Sequence, residues 1–360
     1  MEKNILKSVI LLSVISICGC SGGSDVEETV WGQEVKEESV RISPEVSYEL
    51  PDTIYAMSAS VYKGRYAVCP LETQEYSAVL YDLQEGRVVN QFLHYGNGPS
   101  EVLLPDFYIN GDTLCVRDLL KNRFYTVPCA DFPEVNIHEQ KIEFMSADIL
   151  PYNGQLLALN PYYWENEEMG ISNGEEMLFV SDGSEVPYDK SKVFSLNVVQ
   201  GSLMHSYAEG KVVYADASEP LVVFFDSSLK PLKMIIGPRD YDVRYIEAPQ
   251  GELSFLGSVC YSYLSASCDD KYVYLLYYGA ELDDSEEDVD WEFADNDAYL
   301  FQLDWDGNLI GSYQLEGVRF FLPVVSAGAE PGTVDVSTIY PDRPNLQILH
   351  FDLNKAAAEK

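Results

Sequence analysis

The sequence predicts an all-β fold, and three observations support this expectation. From Val40 onward the apolar segments are about four to eight residues long and are separated by Gly, Asp, Asn and Pro, as is typical of strands. The 26 Tyr and 15 Phe suit half-buried pleated surfaces. A short mark, an apolar run followed by a turn, recurs at intervals of about 50 residues. Beyond the first residues no segment has helical periodicity.

The repeated mark divides the chain into six similar units. It occurs at Leu80–Asp82, Phe124–Val127, Leu178–Asp182, Val223–Asp226, Leu300–Asp304 and Leu349–Asp352. Most marks have a preceding strand and a returning strand, which gives about four strands per unit. Units of this kind stack radially because one unit cannot bury its own faces. We therefore expect a six-bladed β-propeller over residues 39–360, with a β-sandwich or two smaller β domains as the alternative.

The last unit predicts how the ring is closed. It ends almost at the C-terminus without a returning strand, so we expect Ser39–Val46 to supply that strand. The longest interval, between Asp226 and Asp304, indicates an inserted loop at Gly279–Asp297.

The N-terminus has the pattern of an export signal. Lys3 and Lys7 precede an apolar run, Ser8–Ile17, that is shorter than the roughly 20 residues that span a bilayer. Ile17-Cys18-Gly19-Cys20 resembles the bacterial lipobox, which implies a signal peptide over 1–19 and a lipidated Cys20 carrying diacylglycerol and acyl chains such as palmitate. Residues 20–38 are Gly/Ser-rich and then acidic, which indicates a flexible tether with Trp31 loosely packed on the domain.

The net charge restricts the classes of possible partner, and the cysteine content bears on disulfide bonding. A net charge of -36 disfavours nucleic acid and anionic surfaces, because like charges repel. Besides Cys20, five cysteines follow the signal peptide; no CxxC motif occurs, and their disulfide state stays open. The first pair to test is Cys260 with Cys268, and the others are expected to be buried.

Two segments carry a resemblance to a known family. Gly96-Asn97-Gly98-Pro99-Ser100-Glu101 and Asp269–Gly279 are similar to segments of the TolB-like six-bladed β-propeller lipoproteins of Bacteroidetes. The resemblance implies a cell-envelope lipoprotein of the outer membrane, with a binding or scaffolding role and no agreed activity. It leaves open whether the protein faces the periplasm or the cell surface.

For three motifs the sequence favours a structural role over a role in ligand binding or catalysis. Gly96–Glu101 is interpreted as a turn between blades rather than a ligand loop, since no helix pattern follows it. Gly170–Gly174 matches the G-x-S-x-G elbow, but it lacks the buried strand and helix that an elbow needs. Glu281–Asp297 is densely acidic, and we interpret it as a solvated insertion, with a cation site as the alternative.

Tyr162, Tyr163, Trp164 and Glu165 form the candidate ligand-binding loop. Aromatic faces beside carboxylate and amide groups suit a sugar, although the rings could equally pack between blades. No spacing of His94, His138, His205 and His350 indicates a metal site, and we assign neither a cofactor nor a catalytic residue.

These observations predict a non-enzymatic propeller that is tethered to the membrane through Cys20. It would bind a glycan, peptide or protein partner at one face of the ring, where loops converge on a rigid scaffold. The alternative is an envelope hydrolase or lyase acting on carbohydrate at the central funnel.

Overall fold

The computed structural model describes most of the chain from residue 26. The described residues are 26–71, 75–118, 120–142, 148–159, 178–181, 189–191, 201–206, 208–238, 245–247, 253–255, 258–283, 298–319, 323–340 and 343–358. Over these ranges the protein is a β-propeller with very little helix, which confirms the all-β propeller part of the prediction.

The described strands, numbered β1 to β28 in chain order, form six sheets of four or five strands and one small hairpin. Sheet 1 contains β4 (Ser60–Tyr62), β5 (Tyr66–Pro70), β6 (Tyr76–Asp82) and β7 (Arg87–His94). Sheet 2 contains β8 (Pro105–Asn110), β9 (Thr113–Asp118), β10 (Arg123–Pro128) and β11 (His138–Lys141). Sheet 3 contains β12 (Asp148–Tyr152), β13 (Gln155–Leu159), β14 (Leu178–Ser181) and β15 (Asp189–Ser191).

The other three sheets each include a strand from the N-terminal segment. Sheet 4 contains β16 (Gly201–His205), β17 (Val212–Asp216), β18 (Leu221–Phe225), β19 (Pro231–Ile236) and β1 (Glu27–Val30). Sheet 5 contains β22 (Ser258–Cys268), β23 (Tyr272–Asp283), β24 (Ala298–Asp304), β25 (Leu309–Leu315) and β2 (Val40–Ile42). Sheet 6 contains β26 (Val324–Ala327), β27 (Thr333–Tyr340), β28 (Arg343–Asp352) and β3 (Val46–Glu49). The hairpin is β20 (Tyr245–Glu247) with β21 (Leu253–Phe255), and the short helices are α1 (Glu34–Glu37) and α2 (Leu353–Ala358).

Each repeated mark of the sequence lies in the third strand of a sheet, so the predicted periodicity is the periodicity of the fold. In three sheets the Asp at or directly after the end of this strand accepts backbone N–H groups of the following turn, which explains why the mark includes an acid. The pairs are Asp82 with Gln84 and Glu85, Asp226 with Ser228 and Lys230, and Asp304 with Asp306 and Asn308.

Buried apolar clusters join the sheets, because a twisted sheet must bury both faces against its neighbours. Each cluster draws its members from two successive sheets, and the same holds for sheets 6 and 1. In that last cluster Ile339 and Ile348 of sheet 6 pack with Val61 and Ala67 of sheet 1.

The first strands of the sheets line an axial channel. In sheets 4, 6 and 1, backbone N–H groups of the first strand donate to a side chain on the first strand of the preceding sheet. Asp148 accepts from Leu203 N at 2.7 Å, Ser265 and Ser267 accept from the first strand of sheet 6, and Ser326 accepts from Val61 N at 2.9 Å. Buried N–H groups need such acceptors. These bonds fix the first strands side by side.

The predicted tether is wrong for residues 27–38. β1 pairs in parallel with β19, with Glu27 opposite Lys233 and Val30 opposite Ile236. Trp31 is only 8% exposed and meets the ring of Phe301 edge-on, with the centroids 5.2 Å apart. The acidic composition of this segment did not indicate a strand, because a strand on a sheet edge needs few apolar residues.

Three further predictions need correction. The strand that pairs with β28 is Val46–Glu49, so only the last residue of Ser39–Val46 belongs to it, and Val40–Ile42 pairs with β25 instead. Cys268 is a free buried thiol, so it has no disulfide to Cys260, which lies eight positions earlier in the same extended strand. The predicted insertion Gly279–Asp297 begins later, because β23 continues to Asp283.

Candidate functional site at the two ends of the channel

The channel has two chemically different ends. At the hairpin end, turns join the first strand to the second and the third to the fourth; at the connector end, turns join the second strand to the third, and connections lead from sheet to sheet. Lys211 and Asp306, in hairpin-end turns of sheets 4 and 5, form an ion pair of 2.7 Å, which confirms that these turns share one end. Among the described residues no helix is both long and apolar enough to cross a bilayer.

A cavity of about 490 Å³ opens at the hairpin end. On one side Asp112 accepts hydrogen bonds from Lys63 and from the Tyr62 hydroxyl, each at 2.8 Å. Burial acts to raise the pKa of Asp112, but these two bonds hold it below its usual value. On the other side Asp269 accepts from two backbone N–H groups of its own turn and from the Tyr274 hydroxyl. These two carboxylates therefore hold the turns that shape the cavity.

Buried polar groups lie beside the floor of this cavity. The side-chain amide oxygen of Asn110, Oδ1, accepts from His205 N at 3.0 Å and lies 3.8 Å from the Cys268 sulfur. Burial raises the pKa of the Cys268 thiol to about 12 and lowers the pKa of His205 to about 4. A neutral thiol and a neutral imidazole are poor as a nucleophile and a proton carrier near pH 7. This group therefore favours a structural role.

A smaller cavity of about 230 Å³ lies towards the connector end. Asp148 borders it and accepts from Leu203 N and from Ile149 N, the latter at 2.8 Å, so both of its oxygens bond backbone N–H groups. Burial raises the pKa of Asp148 to about 6, although nearby Arg117 opposes the change. Arg117 forms a 2.8 Å ion pair with Asp106, which also borders the cavity.

The connector Gly96–Glu101 joins sheets 1 and 2 and is closed on itself. Glu101 accepts from Gly98 N at 2.5 Å, and Gly96 has φ +150°, where an added Cβ would lie 2.2 Å from the Glu101 carboxylate. Lys121 donates to the carbonyl oxygens of Gly96, Gly98 and Glu101 at 2.6, 2.9 and 2.6 Å. The interpretation of this motif as a turn between blades is confirmed, because its carboxylate bonds its own loop.

Lys121→Met should loosen this connector. An ammonium group has three N–H donors, and here each meets one carbonyl oxygen, which methionine cannot replace. We expect a loss of about 2 kcal/mol in the free energy of unfolding, measured by urea denaturation. Lys230→Met, at an exposed hairpin-end lysine, is the matched control and should change little. Equal losses in the two variants would contradict the role given to Lys121.

Three large apolar side chains stand exposed around this connector. Tyr95, Leu104 and Leu120 are 44%, 51% and 64% exposed, and we call them the connector patch. The carboxylate of buried Asp118 fixes the backbone beneath the patch, since it accepts from the N–H groups of Leu104 and Leu120. Tyr55, in the connection that leads into sheet 1, is 61% exposed at the same end.

The residues predicted from the sequence to bind ligand lie outside the described residues. These are Tyr162, Tyr163, Trp164 and Glu165; the same holds for Cys20, for Gly170–Gly174 and for residues 284–297. The strands that flank residues 160–177 are the second and third of sheet 3, and those that flank 284–297 are the second and third of sheet 5. In each of these two sheets the second and third strands pair in antiparallel orientation, and the strand ends that flank the undescribed residues lie at the connector end. No group of three His, Cys, Asp or Glu is placed to hold a metal ion within the described part of the chain.

Sequence reasoning missed the residues that organise the connector patch. Lys121 bonds backbone groups of a distant connector, and two of the three bonds of Asp118 go to that connection as well, so local sequence marks these residues only through the bond from Leu120 N to Asp118. One signal was available: three exposed apolar residues flank a glycine-rich turn and an Asp-Leu-Leu-Lys segment.

Comparison with known proteins agrees with this fold. The sequence matches the family model described as TolB-like 6-blade propeller-like over residues 67–321. A search of curated proteins found no match. A member of the DUF4221 family from Bacteroides vulgatus is similar in structure, with a TM-score of 0.54 at 11% identity over 85% of this chain and 96% of that chain. A putative exported protein from Bacteroides fragilis gives a TM-score of 0.52 at 11% identity over 91% and 99%. At such identity the similarity concerns the fold alone.

Proposed function

Because the chain belongs to the TolB-like 6-blade propeller-like family, we propose that it is a lipid-anchored binding module that docks a protein partner at its connector end. The connector patch carries this proposal, since exposed apolar side chains held on a rigid scaffold are typical of interaction sites. The hydrolase or lyase activity considered from the sequence is the competing hypothesis.

The scaffold of this module is a single ring of six blades closed by β3. Two observations support this: six sheets have four or more strands, and β3 from the N-terminal segment pairs with β28 near the C-terminus. A closed ring leaves only short, protected sheet edges around the channel and keeps the connectors at fixed positions. Rigidity of this kind lowers the entropy cost of binding.

The anchor is Cys20, after removal of the signal peptide 1–19. The lipobox-like Ile17-Cys18-Gly19-Cys20 and the apolar run before it support this assignment. It implies attachment to the outer membrane within the cell envelope. A Cys20→Ala form that still partitions wholly with membranes would contradict it.

The proposed partner is a protein with an apolar surface surrounded by basic residues. Tyr95, Leu104 and Leu120 would contact its apolar centre, and the net charge of -36 favours a partner of opposite sign. A glycan partner is a different outcome of the same test, because sugars would need polar groups beside the rings rather than two exposed leucines.

Photo-crosslinking tests the docking surface. A photoreactive amino acid is introduced at position 104 or 120 and, as a matched control, at Leu232, an exposed leucine at the hairpin end. In membranes of cells that make the protein, we expect one defined protein adduct from 104 and 120 and none from 232. The same adduct from all three positions, or carbohydrate adducts only, would contradict a protein docking surface at the connector end.

A further inference from the structure

The point where the chain leaves the domain indicates how the domain is oriented. β1 runs parallel to β19, and Glu27, its first residue, forms a 3.2 Å ion pair with Lys233. β19 follows the turn at residues 226–230, where Ser227 accepts from the Tyr152 hydroxyl. That turn belongs to the hairpin end, because it joins the third strand of sheet 4 to the fourth. Val26 therefore lies at the hairpin end, on the outer edge of sheet 4.

The segment between Val26 and the proposed anchor is short. The six links from Cys20 to Val26 span at most about 20 Å when fully extended. A strand of six residues such as β19 is itself about 20 Å long. Glu27 lies opposite Lys233, so Val26 is level with Leu232, and β19 rises only about 13 Å from there to its connector-end residue Ile236. If the connector end faced the bilayer, the segment would have to cover this height plus the connecting loops, which requires it to be almost fully extended. With the hairpin end at the bilayer it needs little extension, so the short segment favours that orientation.

The hairpin end also carries exposed apolar side chains on its circumference. They belong to the first two residues of a fourth strand or directly precede one, in five of the six sheets, and we call them the apolar rim: Val46, Val88, Ile137, Leu232, Leu309 and Ile310. Their exposed fractions lie between 37% and 50%. Apolar side chains that are partly exposed in this way suit shallow contact with a lipid interface rather than insertion across it.

We infer that the hairpin end of the ring lies against the lipid surface and that the connector patch points away from it. This inference rests on the proposed anchor at Cys20. The partner surface is neutral lipid rather than anionic lipid, because a protein of net charge -36 is repelled by an anionic leaflet. The cavity of about 490 Å³ then opens towards the membrane, and the connector end is left accessible to a protein partner.

Lysine acetylation on vesicles tests this orientation. The chain from residue 20 is attached to phosphatidylcholine vesicles by two routes: by lipid added in a host that matures lipoproteins, and by coupling the Cys20 thiol to a maleimide phospholipid. Five other cysteines follow Cys20, and Cys260 is replaced with serine for the thiol coupling. The remaining thiols, at Cys69, Cys115, Cys129 and Cys268, are buried, and burial raises the pKa of each, so they react slowly.

Compared with free protein, Lys230 and Lys271 at the hairpin end should react several-fold more slowly on vesicles, while Lys141 at the connector end should be unchanged. All three side chains are exposed, so each reports its own change. Protection of Lys141 instead, or of none of the three, would overturn the orientation. Protection only by the maleimide route would leave the orientation standing and remove the natural anchor.

Variants of the segment and of the apolar rim separate their contributions to the orientation. Inserting a long Gly/Ser segment after Gly23 should weaken the protection of Lys230 and Lys271, because the chain then permits every orientation and only the apolar rim favours the hairpin end. Replacing Leu309 and Ile310 with serine should weaken the protection, whereas serine at Leu104 and Leu120 should not. Full protection in the long-segment variant would show that the segment length does not set the orientation.

Discussion

Trp31→Ala should lower the free energy of unfolding by about 3 to 5 kcal/mol, as expected for a buried aromatic side chain. Trp31 is 8% exposed and packs on Phe301 within a cluster that joins sheets 4 and 5. Its backbone N–H also donates to Ile236 O at 2.8 Å. A chain that begins at residue 39 loses these contacts and β1 as well, so it should be still less stable.

Urea denaturation of chains that begin at residue 26 and at residue 39 measures this effect. Val30→Ala is the matched control, because Val30 is 67% exposed in the same strand and its truncation removes little buried surface. If both chains unfold at the same urea concentration, residues 27–38 are a spacer after all, and the role of β1 is refuted.

Asp148→Asn should make the protein more stable than wild type above pH 7 and about equally stable near pH 4. Burial raises the pKa of Asp148 from 3.8 to about 6, so the fold prefers the neutral carboxyl group. Its stabilising contribution is complete below the unfolded pKa and is lost as the pH rises through about 6. Two pKa units correspond to roughly 3 kcal/mol. Asparagine stays neutral and keeps one acceptor oxygen for Leu203 N.

The difference between variant and wild type isolates Asp148 from other acids. Burial also raises the pKa of Asp216, to about 7, but that group is present in both proteins and cancels. Urea denaturation at pH 4.5 and pH 8 gives the two differences. A difference that is the same at both pH values would show that Asp148 does not titrate between them.

The repeats of the fold were predictable because they are local. An apolar run that ends at Asp82, Asp226 or Asp304 contains both the buried strand and the acid that bonds its own turn. Gly96–Glu101 was also interpretable, since its glycine and its carboxylate lie within one turn.

The N-terminal segment was not predictable, because its partners are distant in sequence. Glu27–Val30 is mostly polar, and its place beside β19 depends on backbone pairing that composition does not reveal. The same holds for Val46–Glu49, whose partner is about 300 residues away in β28. Lys121 of the connector site likewise acts on backbone groups of another connection, and so does Asp118 through the N–H groups of Leu103 and Leu104.

The affinity of the cross-linked partner tests the central claim most directly. With the purified partner, calorimetry compares wild type with a variant that has serine at Tyr95, Leu104 and Leu120, and with a control that has serine at Val88 and Leu232. Each lost apolar contact in a docking surface costs on the order of 1 kcal/mol, so we expect binding to weaken by about a hundredfold. The control should bind as wild type does. Unchanged affinity of the connector-patch variant would contradict docking at this end of the ring.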